Sequence, residues 1–176
     1  MAMSSSRAAT DTSHRVPYPN ARPRRIKLVG VGETGRRVAA EIQGPDLTHV
    51  DIVPAAAGAN AASMGHVGEP GASAAMLRSI ASSADQQAQA LVGADMVFIV
   101  LGRGDDGREA GAISRIARNM RTLVTGVVID DASEPSQLGE RGLEALRQAC
   151  DMLVITSEPE DLRAMLSSLG TMPVTA

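Results

Sequence analysis

Aromatic side chains are almost absent from this 176-residue chain, which has no tryptophan, one phenylalanine (Phe98) and one tyrosine (Tyr18). Hydrophobic residues nevertheless make up 44 %, so the core must be assembled from small pieces: Val, Ile, Leu, Met and Ala. Cysteine occurs once, at Cys150. That excludes an internal disulfide framework and agrees with a reducing compartment. Beside a predicted buried strand, Cys150 reads as an inert core thiol. Lysine also occurs once, at Lys27, and arginine carries the remaining positive charge; the net charge of −3 gives no global basic field for nucleic acid or for a membrane surface. No apolar run approaches the roughly 20 residues needed to span a bilayer, and no apolar signal-peptide core is present. The expectation is a soluble, cytoplasmic protein with no membrane span and no nucleic-acid partner. His14, His49 and His66 are too scattered for a metal pattern, and no cysteine joins them.

The length fits one domain. Residues 1–24, rich in Ser, Arg and Pro and without apolar periodicity, read as a disordered N-terminal arm. Residues 25–170 read as the folded domain, and 171–176 as a flexible C-terminus. Within the domain, IKLVGV (26–31), VDIVPAA (50–56), DMVFIVL (95–101), LVTGVVI (123–129) and DMLVIT (151–156) are short apolar runs without strict alternation, as expected of parallel strands covered on both faces. Helical patterns separate them, at 35–42, 74–91 (Met76, Leu77, Ile80, Ala84, Leu91), 112–120 (Ile113, Ile116, Met120), 138–149 (Leu138, Leu143, Leu146) and 159–169 (Leu162, Met165, Leu166, Leu169). Alternation of strand and helix predicts right-handed crossovers and a doubly wound, mainly parallel α/β sheet of five to six strands, Rossmann-like in type. The glycine-rich stretch 57–75 reads as a long surface loop.

Two glycine motifs follow predicted strands. GVGETG (30–35) has the G-x-G-x-x-G spacing at a strand-to-helix turn, where backbone N–H groups and the helix dipole suit phosphate. Its candidate nucleotide ligands are Gly30, Gly32, Glu33, Thr34, Gly35 and Arg36. NAD is disfavoured, because the second strand runs into Ala55, Ala56, Ala57 and Gly58 with no terminal acid for a ribose. Arg36 and Arg37 oppose the helix dipole, a cost that a nearby anion would offset. The second motif, GRGDDGREAG (102–111), carries Gly102, Gly104 and Gly107 together with Asp105, Asp106 and Glu109. An unscreened carboxylate within about 4–6 Å of a phosphate repels it. Asp105 and Asp106 are therefore candidate water-mediated Mg²⁺ ligands, or, as the favoured reading, turn residues capping the following helix. There is no P-loop lysine motif, nucleophile elbow or triad frame.

GVGETGRRVAAEI (30–42), GEPGASAA (68–75), GADMVFIVLGRGDDGREAGAISRIAR (93–118), TGVVID (125–130) and GLEALRQACDMLVITSEPEDL (142–162) stand in one order along the chain. In that order and spacing they resemble the nucleotide-binding domain of the FtsZ/tubulin family, over roughly residues 25–165. In that family a run like GADMVFVTAG leads into the phosphate loop GGGTGTG, which makes Gly102, Gly104 and Gly107 implied nucleotide ligands where the site is retained, and GEPGASAA stands at its third loop, which adds Gly71 and Ala72. The resemblance implies GTP or GDP with Mg²⁺ where the site is retained.

The departures imply the opposite. The threonines of the fourth loop are replaced by carboxylates, the first loop carries Glu33 and Thr34 for glycines and Arg36 and Arg37 for asparagines, and Ala56, Ala57 and Gly58 stand where Asn-Thr-Asp is expected. The sequence runs to Ala176, before the family's central helix and catalytic loop, so the resemblance implies no GTP hydrolysis by this chain alone. The expectation is a non-catalytic pseudo-GTPase: a protein-binding or regulatory module whose partner is a full-length FtsZ-like filament or a second copy. Small-residue helices at 74–91 and 108–120 would suit subunit packing. The alternative is a nucleotide-binding switch built on the first glycine loop and Mg²⁺.

Overall fold

Apolar runs this short cannot satisfy their own backbone polar groups, and pairing side by side does so. In the computed structural model, which describes residues 24–55, 70–130 and 141–170 (backbone only for 70–80 and 141), they form one five-stranded, all-parallel sheet. The elements run β1 (Ile26–Gly30), α1 (Gly32–Glu41), a single 3₁₀ turn (Pro45–Leu47), β2 (Val50–Pro54), α2 (Pro70–Leu91), β3 (Met96–Gly102), α3 (Arg108–Asn119), β4 (Leu123–Ile129), α4 (Arg141–Ala149), β5 (Met152–Thr156) and α5 (Pro159–Gly170). The strand order is β2-β1-β3-β4-β5. This is a doubly wound, Rossmann-like α/β fold with helices on both faces.

Alternation along each strand divides the core in two. Val29, Val97, Ile99, Leu101, Val124 and Val128 meet α2, α3 and α4 through Leu91, Ile113, Ala117, Leu143 and Leu146. On the opposite face Ile26, Leu28, Phe98, Val100, Val127 and Ile129 meet α1 and α5 through Val38, Ile42, Leu162 and Leu166. Phe98, the chain's single phenylalanine, lies on the central strand and is 1 % exposed. Asp151, which precedes β5, accepts from Val124 N–H (2.9 Å) and pairs with Arg118. The backbone donor, with Arg118 adding to it, holds its carboxyl below the usual range.

The expected elements are present, with local differences. The helix expected from residue 74 begins at Pro70, because proline suits the first helical turn, where no N–H is needed. Gly71 and Ala72 therefore lie in a helix rather than in a loop. Ala84, expected in the core, is exposed, and Gln87 is buried in its place at 4 %. The buried stripe of α2 runs through Gln87 to Leu91, one turn on. Met120, expected on the buried face of α3, is 37 % exposed because the helix ends at Asn119. The expected arm, the C-terminal tail, Leu138 and the loop residues 56–69 lie outside the described residues. Among the described residues no helix is long and apolar enough to cross a membrane.

One glycine has no packing role. A Cβ on Gly111, inside α3, would meet nothing within 4 Å. Gly111→Ala is expected to stabilise the fold by about 0.5–1 kcal/mol, since alanine has the higher helix propensity and restricts the unfolded chain. Chemical denaturation would show it as a higher midpoint with an unchanged slope.

Candidate functional site

The order β2-β1-β3 reverses direction between β1 and β3. In open α/β sheets ligands bind at this switch point, beyond the carboxyl ends of the strands. The two glycine motifs follow these two strands, so the fold brings Gly30–Gly35 and Gly102–Gly107 together.

The contact between them is made by Asp105. Its Oδ2 accepts from Gly102 N–H at 2.7 Å and from Gly35 N–H at 3.3 Å, while Oδ1 accepts from Glu33 N–H at 3.2 Å. Two of these donors belong to the first turn of α1, whose own N-cap, Val31, supplies no side-chain acceptor. The first four N–H groups of a helix need external acceptors and carry the positive end of its dipole. The Asp105 carboxylate meets that need from 70 or more residues away in sequence. Gly32, with φ +73, lets the chain pass beneath it: a Cβ there would fall 2.3 Å from Asp105 Cγ. A turn closed by Asp105 N–H donating to Gly102 O (3.1 Å) holds the carboxylate in place.

The expectation that both aspartates cap the following helix is thus half met. Asp106, exposed, accepts from Arg108 N–H at 3.1 Å and pairs with the Arg108 guanidinium at the start of α3, which raises the arginine's already high pKa. Asp105 instead caps α1. The available signal was the anion-seeking character of the first loop: the chain carries its own anion three residues after Gly102.

The remaining candidates take structural places. Gly35 presses against β3, and Gly30 against Gly35 itself. Thr34 lies over Gly102, and Gly107 faces Ala145 of α4. Gly104 sits in the turn beside Asp105. Arg36 reaches Glu109 at 3.4 Å, and Arg37 pairs with Glu41 at 3.5 Å. The anion expected to offset these cations is therefore protein carboxylate, with Asp105 one turn away. Arg103 crosses to Asp130 at the end of β4, at 2.5 Å. An open hollow of about 500 Å³ lies on the far side of the loop, lined by Asp106, Gly107, Arg108, Glu144, Ala145 and Gln148.

A nucleotide's phosphate fits this arrangement poorly. The amides that would take phosphate oxygens already hold a carboxylate, and a phosphate brought to them would meet like charge at close range. A Mg²⁺ ion fits no better, since Asp105 and Asp106 serve different partners, and among the described residues no cluster of three or more His, Cys, Asp or Glu is placed to hold a metal.

Cys150 packs against Gly126 and Leu146, and burial pushes its thiol up to about 12. The thiolate is the reactive form. Alkylation by iodoacetamide at pH 8 is expected to be much slower in the native protein than in denaturant, which mass spectrometry of timed samples would measure. No protein-family model matches the chain.

Proposed function

We propose that this chain is a non-catalytic binding module of the FtsZ/tubulin type, a pseudo-GTPase that keeps the fold of a nucleotide-binding domain, has filled the phosphate cradle with its own Asp105, and acts through protein contacts. The observation that carries this reading is the Asp105 carboxylate on the amides of Gly102, Glu33 and Gly35. The resemblance of the ordered motifs between residues 25 and 165 supplies the family. The glycine spacing in the first loop does not by itself favour a nucleotide, because Gly30 and Gly35 are accounted for by the close approach of α1 to the sheet. On this reading the partner is a protein, with an FtsZ-like filament of full-length subunits as the first candidate.

The test is titration of the full chain with GTP, GDP, ATP and NAD, each with and without Mg²⁺, by calorimetry and thermal shift. The expected result is no saturable heat and no shift at millimolar ligand, where a Kd near 1 mM would still stabilise by about 0.4 kcal/mol. Saturable GTP binding would instead establish the nucleotide switch. The filament partner is tested separately by adding the chain in excess to polymerising FtsZ. Unchanged polymerisation together with no co-sedimentation would sink that choice of partner.

A further inference from the structure

The two edges of the sheet differ in what they offer to another strand. In a parallel ladder, alternate residues turn both N–H and C=O toward the neighbour, and the residues between them turn both away. Ile26 N–H donates to His49 O at 2.9 Å, which directs Asp51 and Val53 toward β1 and leaves Val50, Ile52 and Pro54 facing outward. Pro54 has no N–H to offer, a common block on edge pairing. At the other edge Asp130 N–H donates to Thr156 O at 2.8 Å. Met152, Val154 and Thr156 therefore face β4, and Leu153 and Ile155 present their N–H and C=O groups outward. The sequence MLVIT contains neither charge nor proline to protect this edge.

The side chains follow the same pattern. Leu153 packs on the core beneath α3 and α4. Ile155, two residues on and on the same face, is 48 % exposed; Met152, on the opposite face, is 56 % exposed. The strand also complements itself. Placing a second copy antiparallel, with the two-fold axis at Val154, sets each Leu153 opposite the other copy's Ile155. Those are the outward-facing residues, so each pair exchanges two N–H···O bonds and each exposed Ile155 gains a leucine neighbour. The flanking acids do not meet: Asp151 falls opposite Ser157, and Glu158 opposite Cys150. Asp151 is in addition held back by Arg118 and Val124 N–H.

We propose that β5 is a homodimer interface, through which two copies join antiparallel about Val154 into one continuous sheet. A five-residue strand pair buries less than the roughly 800 Å² per partner of a standard interface, so the dimer is weak and forms as concentration rises. The inference does not rest on the proposed function, because the edge pairs or fails to pair whatever the glycine loops hold.

Sedimentation velocity of the full chain, from micromolar to near-millimolar protein, tests it, with Ile155→Lys as the variant and Val92→Lys as the control; Val92 is 55 % exposed and lies away from β5. The expected result is a monomer–dimer equilibrium in the wild type and the control, and a dissociation constant weakened about tenfold or more by placing a charge in the apolar pairing. Amide hydrogen exchange gives a readout that does not depend on the variant folding: the Leu153 and Ile155 N–H groups of the wild type should become protected as concentration rises. A wild type that stays monomeric throughout, a Val92→Lys loss equal to that of Ile155→Lys, or Leu153 and Ile155 amides indifferent to concentration would each overturn the proposal.

Discussion

Asp105→Ala is expected to lower stability and to create an anion site in the same step. The substitution leaves the N–H groups of Gly102, Glu33 and Gly35 without their acceptor. The Gly102 bond is short and part-buried, while the two bonds to α1 are longer and water can replace them. The loss should therefore resemble that of a helix cap, about 1–2 kcal/mol, or roughly 2–8 °C in Tm for a domain of this size. The same change removes the like charge and exposes the positive end of α1. Pyrophosphate, and GTP with Mg²⁺, should then bind where the wild type shows nothing, and ligand at ten times its Kd would restore about 1.4 kcal/mol. Asp106→Ala is the control for anion binding: its carboxylate serves the N–H and the guanidinium of Arg108 at the surface, so its loss should cost no more than an exposed helix cap, about 0.5–1 kcal/mol, and leave anion binding absent. A variant at 105 that loses stability yet binds no anion would reduce Asp105 to a simple cap. One that neither loses stability nor binds would remove the basis of the proposed function.

The second large effect is expected at Gly35→Ala. A Cβ at this position would stand 2.1 Å from Val100 O, 2.9 Å from the carbonyl carbon of Val100 and 3.0 Å from Leu101 Cα. All three are backbone atoms of the central strand, so no side chain can swing aside. Helix α1 would have to lift off the sheet and expose Val38 and Ala39, now 0 % and 2 % exposed. The gain in helix propensity, at most about 1 kcal/mol, is outweighed by overpacking of about 3 kcal/mol or more. Thermal unfolding should show a fall in Tm on the order of 10 °C. A small rise like that expected at Gly111, in place of the fall, would mean that α1 does not approach β3 so closely. The comparison also separates two accounts of the first glycine loop: a loss of stability at Gly35 without any ligand shows that packing alone requires the glycine.

The strands were legible in the sequence to within about two residues because burial on both faces demands unbroken apolar runs, and polar or glycine residues punctuate them. Phe98 lay within one of those runs, and Leu143, Leu146, Leu162 and Leu166 were legible as core from their helical spacing. The start of α2 was not: a Gly- and Ala-rich segment after Pro70 carries no apolar period, so composition pointed to a loop. The burial of Gln87 in place of Ala84 was hidden too, because the rotation of a helix is set by what it packs on rather than by its own composition.

By itself, then, the sequence determined a parallel α/β sheet with a core of aliphatic side chains, two glycine turns after strands, and carboxylates in the second turn. These are local properties of short windows, each governed by burial or backbone conformation. Only the tertiary structure decided what the carboxylates do. The distance from Gly35 to Asp105 is 70 residues in sequence and one hydrogen bond in space, and it closes only when β1 and β3 lie side by side. Whether an acid at the end of a strand repels a ligand, caps its own helix or caps another depends on which helix N-terminus the sheet order brings to it. Here that order brings α1, and the anion the helix attracts is part of the chain.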